Sequence, residues 1–182
     1  MNTDYPISAI KILLNDDCIL TKFYPLLPYK NKLVEQLHKL GCQAKTDCMD
    51  LSDEALLAAG FPDCGMVQLF RAFLKLYDIN PVKLKEIGSF CRDESEKQMY
   101  EELYHLPGVK KTRAMLYVQA GFRSLEAIAA SSPQEIIARA ESAIAERELP
   151  CKAPLMKEAK THIAVARAFT GWALDMGDFP ST

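Results

Sequence analysis

The 182-residue sequence contains no apolar run of the roughly 18 residues that a membrane-spanning helix needs. Its apolar stretch at residues 7–14 is interrupted by Lys11 and followed by Asp16 and Asp17, which argues against a signal peptide. An excess of positive charge is also missing: the formal net charge is -2 and the isoelectric point is 6.0, whereas nucleic-acid-binding domains often exceed about 9. We therefore expect a cytoplasmic protein without a membrane partner, in which any phosphate binding is local.

Recognisable metal and catalytic patterns are absent from the sequence as well. The six cysteines include neither a Cys-x-x-Cys pair nor a histidine at zinc-ligand spacing. His38, His105 and His162 are isolated from any serine or cysteine at a spacing typical of a nucleophile. The chain also has no glycine-rich phosphate loop ending in Lys-Ser/Thr. We therefore predict no metal site, no cofactor and no enzymatic activity, and we interpret the cysteines as small buried residues kept reduced.

What the sequence does contain is helical periodicity. Hydrophobic residues make up 49% of the chain and charged residues 25%, which is typical of a folded protein with an ordinary core. Leu33, Leu37 and Leu40 form an apolar stripe that ends at Gly41, a residue suited to closing a helix. No segment alternates polar and apolar residues for long enough to require a sheet. The sequence predicts an all-α fold.

Several further elements follow from local patterns. In the first 25 residues, Ile7, Ile10 and Leu14 fit a short amphipathic helix with Leu13 only on its flank. Pro62 is expected to begin a central helix, and a short helix is expected at residues 82–87. The acidic segment 94–102 is interpreted as a solvated helix face. The last long helix is predicted at residues 155–169.

An internal repeat organises these elements. Gly41 and Gly121 are 80 residues apart, and each is followed eleven residues later by a helix-capping serine, Ser52 or Ser132. The same shift aligns Leu26 with Leu106, Lys30 with Lys110, and Leu37 with Tyr117. We therefore predict two copies of one helical unit packed as one compact array: an N-terminal unit at residues 26–88 and a C-terminal unit at 94–182, preceded by a packing arm at 1–25.

At the beginning of the C-terminal unit, one helix is predicted to end and the next to begin only a few residues later. Leu103 and Leu106 share one helix face, Pro107 disfavours continuation of the helix, and Gly108 can adopt the positive φ of a tight turn. Val109 supplies an apolar side chain that can pack beneath that turn. This pattern, with Ala114 following, resembles the helix-hairpin-helix motif of DNA-handling proteins. The whole chain is similar to a bacterial family of tandem helix-hairpin-helix proteins of unknown function.

The resemblance implies that backbone N–H groups of the turn and of the next helix bind a phosphate, although Lys110 stands where the family usually has a second glycine. Free N–H groups at a helix start bind anions without any special side chain. The sequence also concentrates cations near the turn, within a span that contains no acid. The predicted nucleic-acid-binding residues are Gly108, Val109, Lys110, Lys111, Arg113 and Arg123. Candidates for a second contact in the last segment are Lys152, Lys157, Lys160 and Arg167.

The N-terminal unit differs at the equivalent positions. It has Leu27, Pro28 and Tyr29 in place of the turn, and a separate match around Gly60 is followed by Asp63, which would repel a phosphate. We interpret this unit as scaffold. Two functions remain open: weak, sequence-independent binding of the DNA backbone through the second hairpin, or a protein-interaction module that binds no nucleic acid.

Overall fold

Every regular element of the chain, as described by a computed structural model for residues 4–78 and 90–171, is helical apart from one isolated bridge between Pro6 and Ala44. Two 3-10 helices, Ile7–Ala9 and Thr21–Tyr29, lead directly into α1 and α2. The α-helices are α1 (Ile10–Leu13), α2 (Lys30–Lys39), α3 (Lys45–Asp50), α4 (Asp53–Ala58), α5 (Cys64–Leu76), α6 (Glu94–His105), α7 (Lys111–Gln119), α8 (Leu125–Ala130), α9 (Pro133–Arg147) and α10 (Met156–Thr170). The all-α prediction is confirmed for these residues.

The predicted helix ends are largely confirmed. Ser52 and Ser132 cap α4 and α9, each accepting a hydrogen bond from a first-turn N–H, at 3.2 and 3.1 Å. Gly41 and Gly121 follow α2 and α7 with φ of +86° and +80°, the left-handed conformation that closes a helix. These ends depend on neighbours within four residues, which is why local patterns could locate them.

Two expectations about the N-terminal half were wrong. Leu13 is fully buried and lies in the core, because α1 packs against α2 on one side and α10 on another. The central helix α5 begins at Cys64 and not at Pro62, because the Asp63 carboxylate accepts a hydrogen bond from the Met66 N–H at 2.9 Å and caps the helix there. The helix predicted at residues 82–87, the end of the predicted N-terminal unit at residue 88, and the tail from Trp172 onward lie outside the described residues.

One continuous apolar cluster joins the two halves of the described chain. It extends from Tyr5 through the buried faces of α5 and α7 to Ala168 in α10. Helix α10 packs against α8, α1 and α9, and α6 packs against α7. The turn between α6 and α7 is therefore supported from behind by the same core that holds the N-terminal arm.

Candidate nucleic-acid interface

The turn between α6 and α7, residues 106–110, is anchored by apolar side chains and open at its tip. Leu106 and Val109 are buried, and the Val109 N–H donates to the Leu106 carbonyl at 3.1 Å. Gly108 between them has a φ of +81° and is exposed, and apart from its two chain neighbours no residue has an atom within 4 Å of the position that a Cβ would occupy. A ligand can therefore approach the backbone at Gly108 without meeting a side chain.

Helix α7 begins at Lys111 without a side-chain cap. Its N-cap residue is Lys110, which has an extended backbone and makes no capping hydrogen bond. Acidic residues are absent from the first turn, and the side chains of Lys110, Lys111 and Thr112 are exposed. The helix start thus combines N–H groups that carry partial positive charge with two lysine ammonium groups.

Five other helices of the described chain start with a capping side chain. Helix α2 starts after Tyr29 without one and with no acid in its first turn, but its Lys30 N–H already donates to the Leu27 carbonyl. Side chains that accept a first-turn N–H cap α4, α5, α6, α8 and α9, from Ser52, Asp63, Asp93, Ser124 and Ser132. Each of these caps occupies the position that an anion would take. The start of α7 is left accessible by comparison.

Arg113 lies near the turn, but its charge is already paired. Its guanidinium donates from Nε and Nη2 to the two carboxylate oxygens of Glu158 at 2.6 and 2.9 Å, and from Nη1 to the Lys152 carbonyl. Partial burial alone would raise the pKa of Glu158, but the hydrogen bonds and charge of Arg113 outweigh it and the pKa lies below its ordinary value. Glu158 is therefore ionised at neutral pH and neutralises Arg113.

Arg123 follows the C-terminal end of α7, a helix whose nine residues span roughly 14 Å along its axis. It donates to the Val118 carbonyl at 3.3 Å and to the Glu96 carboxylate at 3.1 Å. The structure therefore brings Gly108, Val109, Lys110, Lys111 and Arg113 together, and it separates Arg123 from them. Residues 108–123 contain no acidic residue, but in the structure two acids from other helices lie beside them: Glu96 of α6 and Glu158 of α10.

Glu96 corrects the interpretation of the acidic segment 94–102 as a solvated face. Its carboxylate is completely buried and accepts hydrogen bonds from the Arg92 N–H at 2.8 Å and from the Arg92 guanidinium at 2.6 and 2.9 Å. The Arg92 hydrogen bond is the main cause that holds the pKa of Glu96 below its ordinary value. The spacing of Asp93 and Glu96, which resembles a capping box, was the signal that could have found this role.

A buried histidine behind the turn is a second feature that sequence analysis missed. His162 is only 2% exposed, and its Nδ1 lies 2.6 Å from the Tyr117 hydroxyl. A hydrogen bond with the Gly108 backbone also acts on the imidazole, but burial dominates and lowers the pKa of His162 to about 4. The ring is therefore neutral at pH 7. It joins α10, α7 and the turn, a combination that separations of 45 and 54 residues conceal in the sequence.

Candidates for a second phosphate contact divide into two groups. Lys152 and Lys157 are exposed at the start of α10. Lys160 forms an ion pair with Asp17 at 2.9 Å, and Arg167 donates to the Ala129 carbonyl at 2.7 Å. Lys160 and Arg167 are thus engaged in contacts within the protein. The exposed Lys152 and Lys157 are therefore better suited to bind a ligand.

The cysteines are less uniformly buried than expected. Cys42 and Cys48 are buried and Cys64 is exposed, while the other three are intermediate. Burial raises the pKa of the Cys18 thiol to about 11, so it is protonated at neutral pH. Within residues 4–78 and 90–171, no group of three or more His, Cys, Asp or Glu residues is placed to hold a metal ion.

Comparison with known proteins adds no family assignment. No protein-family model matches the chain, and no solved structure matches it significantly. Among the described helices, none is both long and apolar enough to cross a bilayer.

Proposed function

We propose that this chain is a non-enzymatic protein of the helix-hairpin-helix type that binds the DNA phosphate backbone without sequence preference, through the α6–α7 turn and the start of α7. The observation that carries this proposal is the uncapped N-terminus of α7 beside the exposed Gly108. N–H groups at a helix start bind phosphate, and Lys110 and Lys111 add two cations to them.

The connection between α4 and α5 supports this proposal by contrast. Gly60 there has a φ of +108°, similar to Gly108, but the following helix start is occupied by the Asp63 carboxylate. A phosphate at that position would meet both a negative charge and an already satisfied N–H group. The two turns thus share a backbone feature and differ in the chemistry that binding requires.

The geometry narrows the proposed contact to the turn and the first residues of α7. Gly108 contributes backbone, and Lys110 and Lys111 contribute charge. The Val109 N–H already donates to the Leu106 carbonyl, and Arg113 is adjacent but paired with Glu158. Such a site neutralises about two phosphates, which is consistent with non-specific dissociation constants on the order of 10⁻⁴ to 10⁻⁶ M. Arg123, beyond the C-terminal end of α7, is too far from the helix start to join the same phosphate.

The proposed two-copy organisation is supported by matching element positions. Helices α2 and α7 end at Lys39 and Gln119, and α4 and α9 begin at Asp53 and Pro133, each pair 80 residues apart. Helices α3 and α8 each contain six residues at the same offset. The copies diverge where α9 continues for 15 residues and α4 for six. They also diverge at the entry to α2, which is a 3-10 helix.

A protein-interaction role is the second candidate function, and one observation favours it. Leu155 and Met156, at the start of α10, are 76% and 41% exposed. Exposed apolar side chains are suited to contact a protein partner. In that case the purified protein would form a defined complex or oligomer and would ignore DNA.

Fluorescence anisotropy with labelled duplex and single-stranded DNA tests the DNA proposal. We expect weak binding at about 50 mM salt that decreases steeply as salt is raised, because each neutralised phosphate adds about 0.9 to the slope of log K against log salt. The double change Lys110→Glu and Lys111→Glu should abolish binding. Since both side chains are exposed and acidic residues are favourable at a helix start, helicity should be unchanged and the free energy of unfolding should not decrease.

The matched control is Lys30→Glu with Lys32→Glu, which makes the same charge change at the start of α2. It should leave binding within about twofold of the unmodified protein, since long-range effects of exposed charges are screened by salt. Absence of binding at low salt would reject the proposal. Equal losses in the two double variants would show that only net charge matters and would reject the assignment to this turn.

A further inference from the structure

Glu158 and Arg113 form a two-point contact at the edge of the proposed phosphate site. Arg113 is the third residue of α7, and side chains on a helix point back toward its N-terminus. Its guanidinium therefore lies close to the helix start at which a phosphate would bind. Glu158 is the third residue of α10, and its carboxylate also accepts from the Leu155 N–H at 3.4 Å.

This contact removes the Arg113 charge from the site. The side chains of Arg113 and Glu158 are only 19% and 32% exposed, so water screens their attraction less than it would at an open surface. The paired groups have no net charge, and a phosphate nearby would be attracted to one and repelled by the other. Of the three cations near the turn, two remain effective.

We propose that Glu158 is an affinity-determining residue of the hairpin, which restrains Arg113 and limits phosphate contacts to those of Lys110, Lys111 and the α7 backbone. This inference rests on the proposed function of the same site. Removal of the carboxylate charge makes Arg113 a third cation of that site. Arg113 stays in position because the Lys152 carbonyl still accepts from its Nη1.

The proposal is tested with Glu158→Gln, since glutamine keeps the size of the side chain and an acceptor oxygen but has no charge. In salt titrations by fluorescence anisotropy, the variant should bind labelled duplex DNA roughly tenfold more tightly at about 50 mM salt, with a slope steeper by about 0.9. A residue that only stabilises the fold would give weaker or unchanged binding. Glu158→Ala serves as a second variant, and urea unfolding verifies that each protein is folded.

Two controls test whether the gain in DNA affinity depends on Arg113. The double variant Glu158→Gln with Arg113→Gln should lose the added affinity and the added slope. Glu141→Gln, an exposed position on α9, removes one negative charge elsewhere and should leave both unchanged.

The outcomes separate this inference from the function on which it rests. If neither the unmodified protein nor the variants bind DNA at low salt, the proposed function is wrong, and this inference with it. If the unmodified protein binds and Glu158→Gln neither tightens binding nor steepens the slope, this inference alone is overturned. A gain that persists in the double variant, or that Glu141→Gln also produces, overturns it as well.

Discussion

Gly108 is the single residue on which the proposed contact depends most directly. Its positive φ turns the chain between α6 and α7, and the space beyond its Cα is empty. Gly41, at the end of α2, has nearly the same φ and equally empty surroundings. The two glycines differ in the helix beside them: Gly108 precedes the lysine-flanked start of α7, whereas Gly41 follows the end of α2.

We predict that Gly108→Ala and Gly41→Ala lower the free energy of unfolding by similar amounts, about 1–2 kcal/mol, because alanine is strained at positive φ. Neither substitution creates a clash, so the strain is confined to the backbone. Only Gly108→Ala should weaken DNA binding, since its methyl group would stand between the turn and a phosphate. Urea unfolding and anisotropy on both proteins check this, and equal DNA affinity of the two variants would contradict it.

At the scale of elements, the start of α7 differs from the five capped helix starts described above. A missing cap leaves first-turn N–H groups without a protein partner and so costs stability. The extended backbone of Lys110, with φ -108° and ψ 171°, is nevertheless the conformation of a capping residue. The backbone at residue 110 is therefore suited to a capping residue, but the lysine side chain present there cannot accept a hydrogen bond.

We predict that Lys110→Asp stabilises the protein by about 1 kcal/mol, because aspartate at an N-cap accepts a first-turn N–H and interacts favourably with the helix dipole. The same change should eliminate DNA binding by occupying the phosphate position with a carboxylate. Lys110→Ala is the control, which removes the charge without adding a cap and should weaken binding without stabilising the fold. A Lys110→Asp protein that is more stable and still binds DNA would refute the proposed use of these N–H groups.

For the whole molecule, α10 is the element that connects its parts. It contacts the N-terminal arm through α1 and the C-terminal unit through α8 and α9, and it contributes Glu158 and His162 to the support of the α6–α7 turn. His162 is buried and contacts Tyr117 of α7 and the backbone of the turn. Its protonation is therefore linked to the stability of the entire fold.

We predict that stability falls as pH is lowered from about 6.5 toward 4. The pKa of His162 is about 4 in the folded protein and about 6.5 in the unfolded chain, so the unfolded state binds more protons in this window. Between pH 7 and pH 5 the loss attributable to His162 is about 2 kcal/mol. Urea unfolding at several pH values measures it.

The comparison protein for this prediction is His162→Gln, which cannot titrate there and should have a shallower dependence on pH. Carboxylates other than Glu158 contribute equally to both proteins, so the difference between the two curves measures the histidine together with its coupling to Glu158. Parallel curves between pH 7 and pH 5 would rule out a role for His162 in this window.

Much of the local structure could be predicted because its causes are local. The all-α class, the caps at Ser52 and Ser132, and the turn at Gly108 depend on periodicity and on neighbours within a few residues. The burial of Leu13 and Glu96 could not be predicted in this way. Which face of a short helix is covered, and whether an acidic run contains a buried member, depends on elements that arrive from elsewhere in the chain.

The sequence by itself determined the all-α class, the turn between α6 and α7, and the absence of a capping side chain at Lys110. Only the tertiary structure decided which cations are available, because it pairs Arg113 with Glu158 across 45 residues and ties Arg123 to Glu96 across 27. The physical reason is that the effect of a charge depends on distance in space, and packing of α10 against the rest of the chain sets those distances.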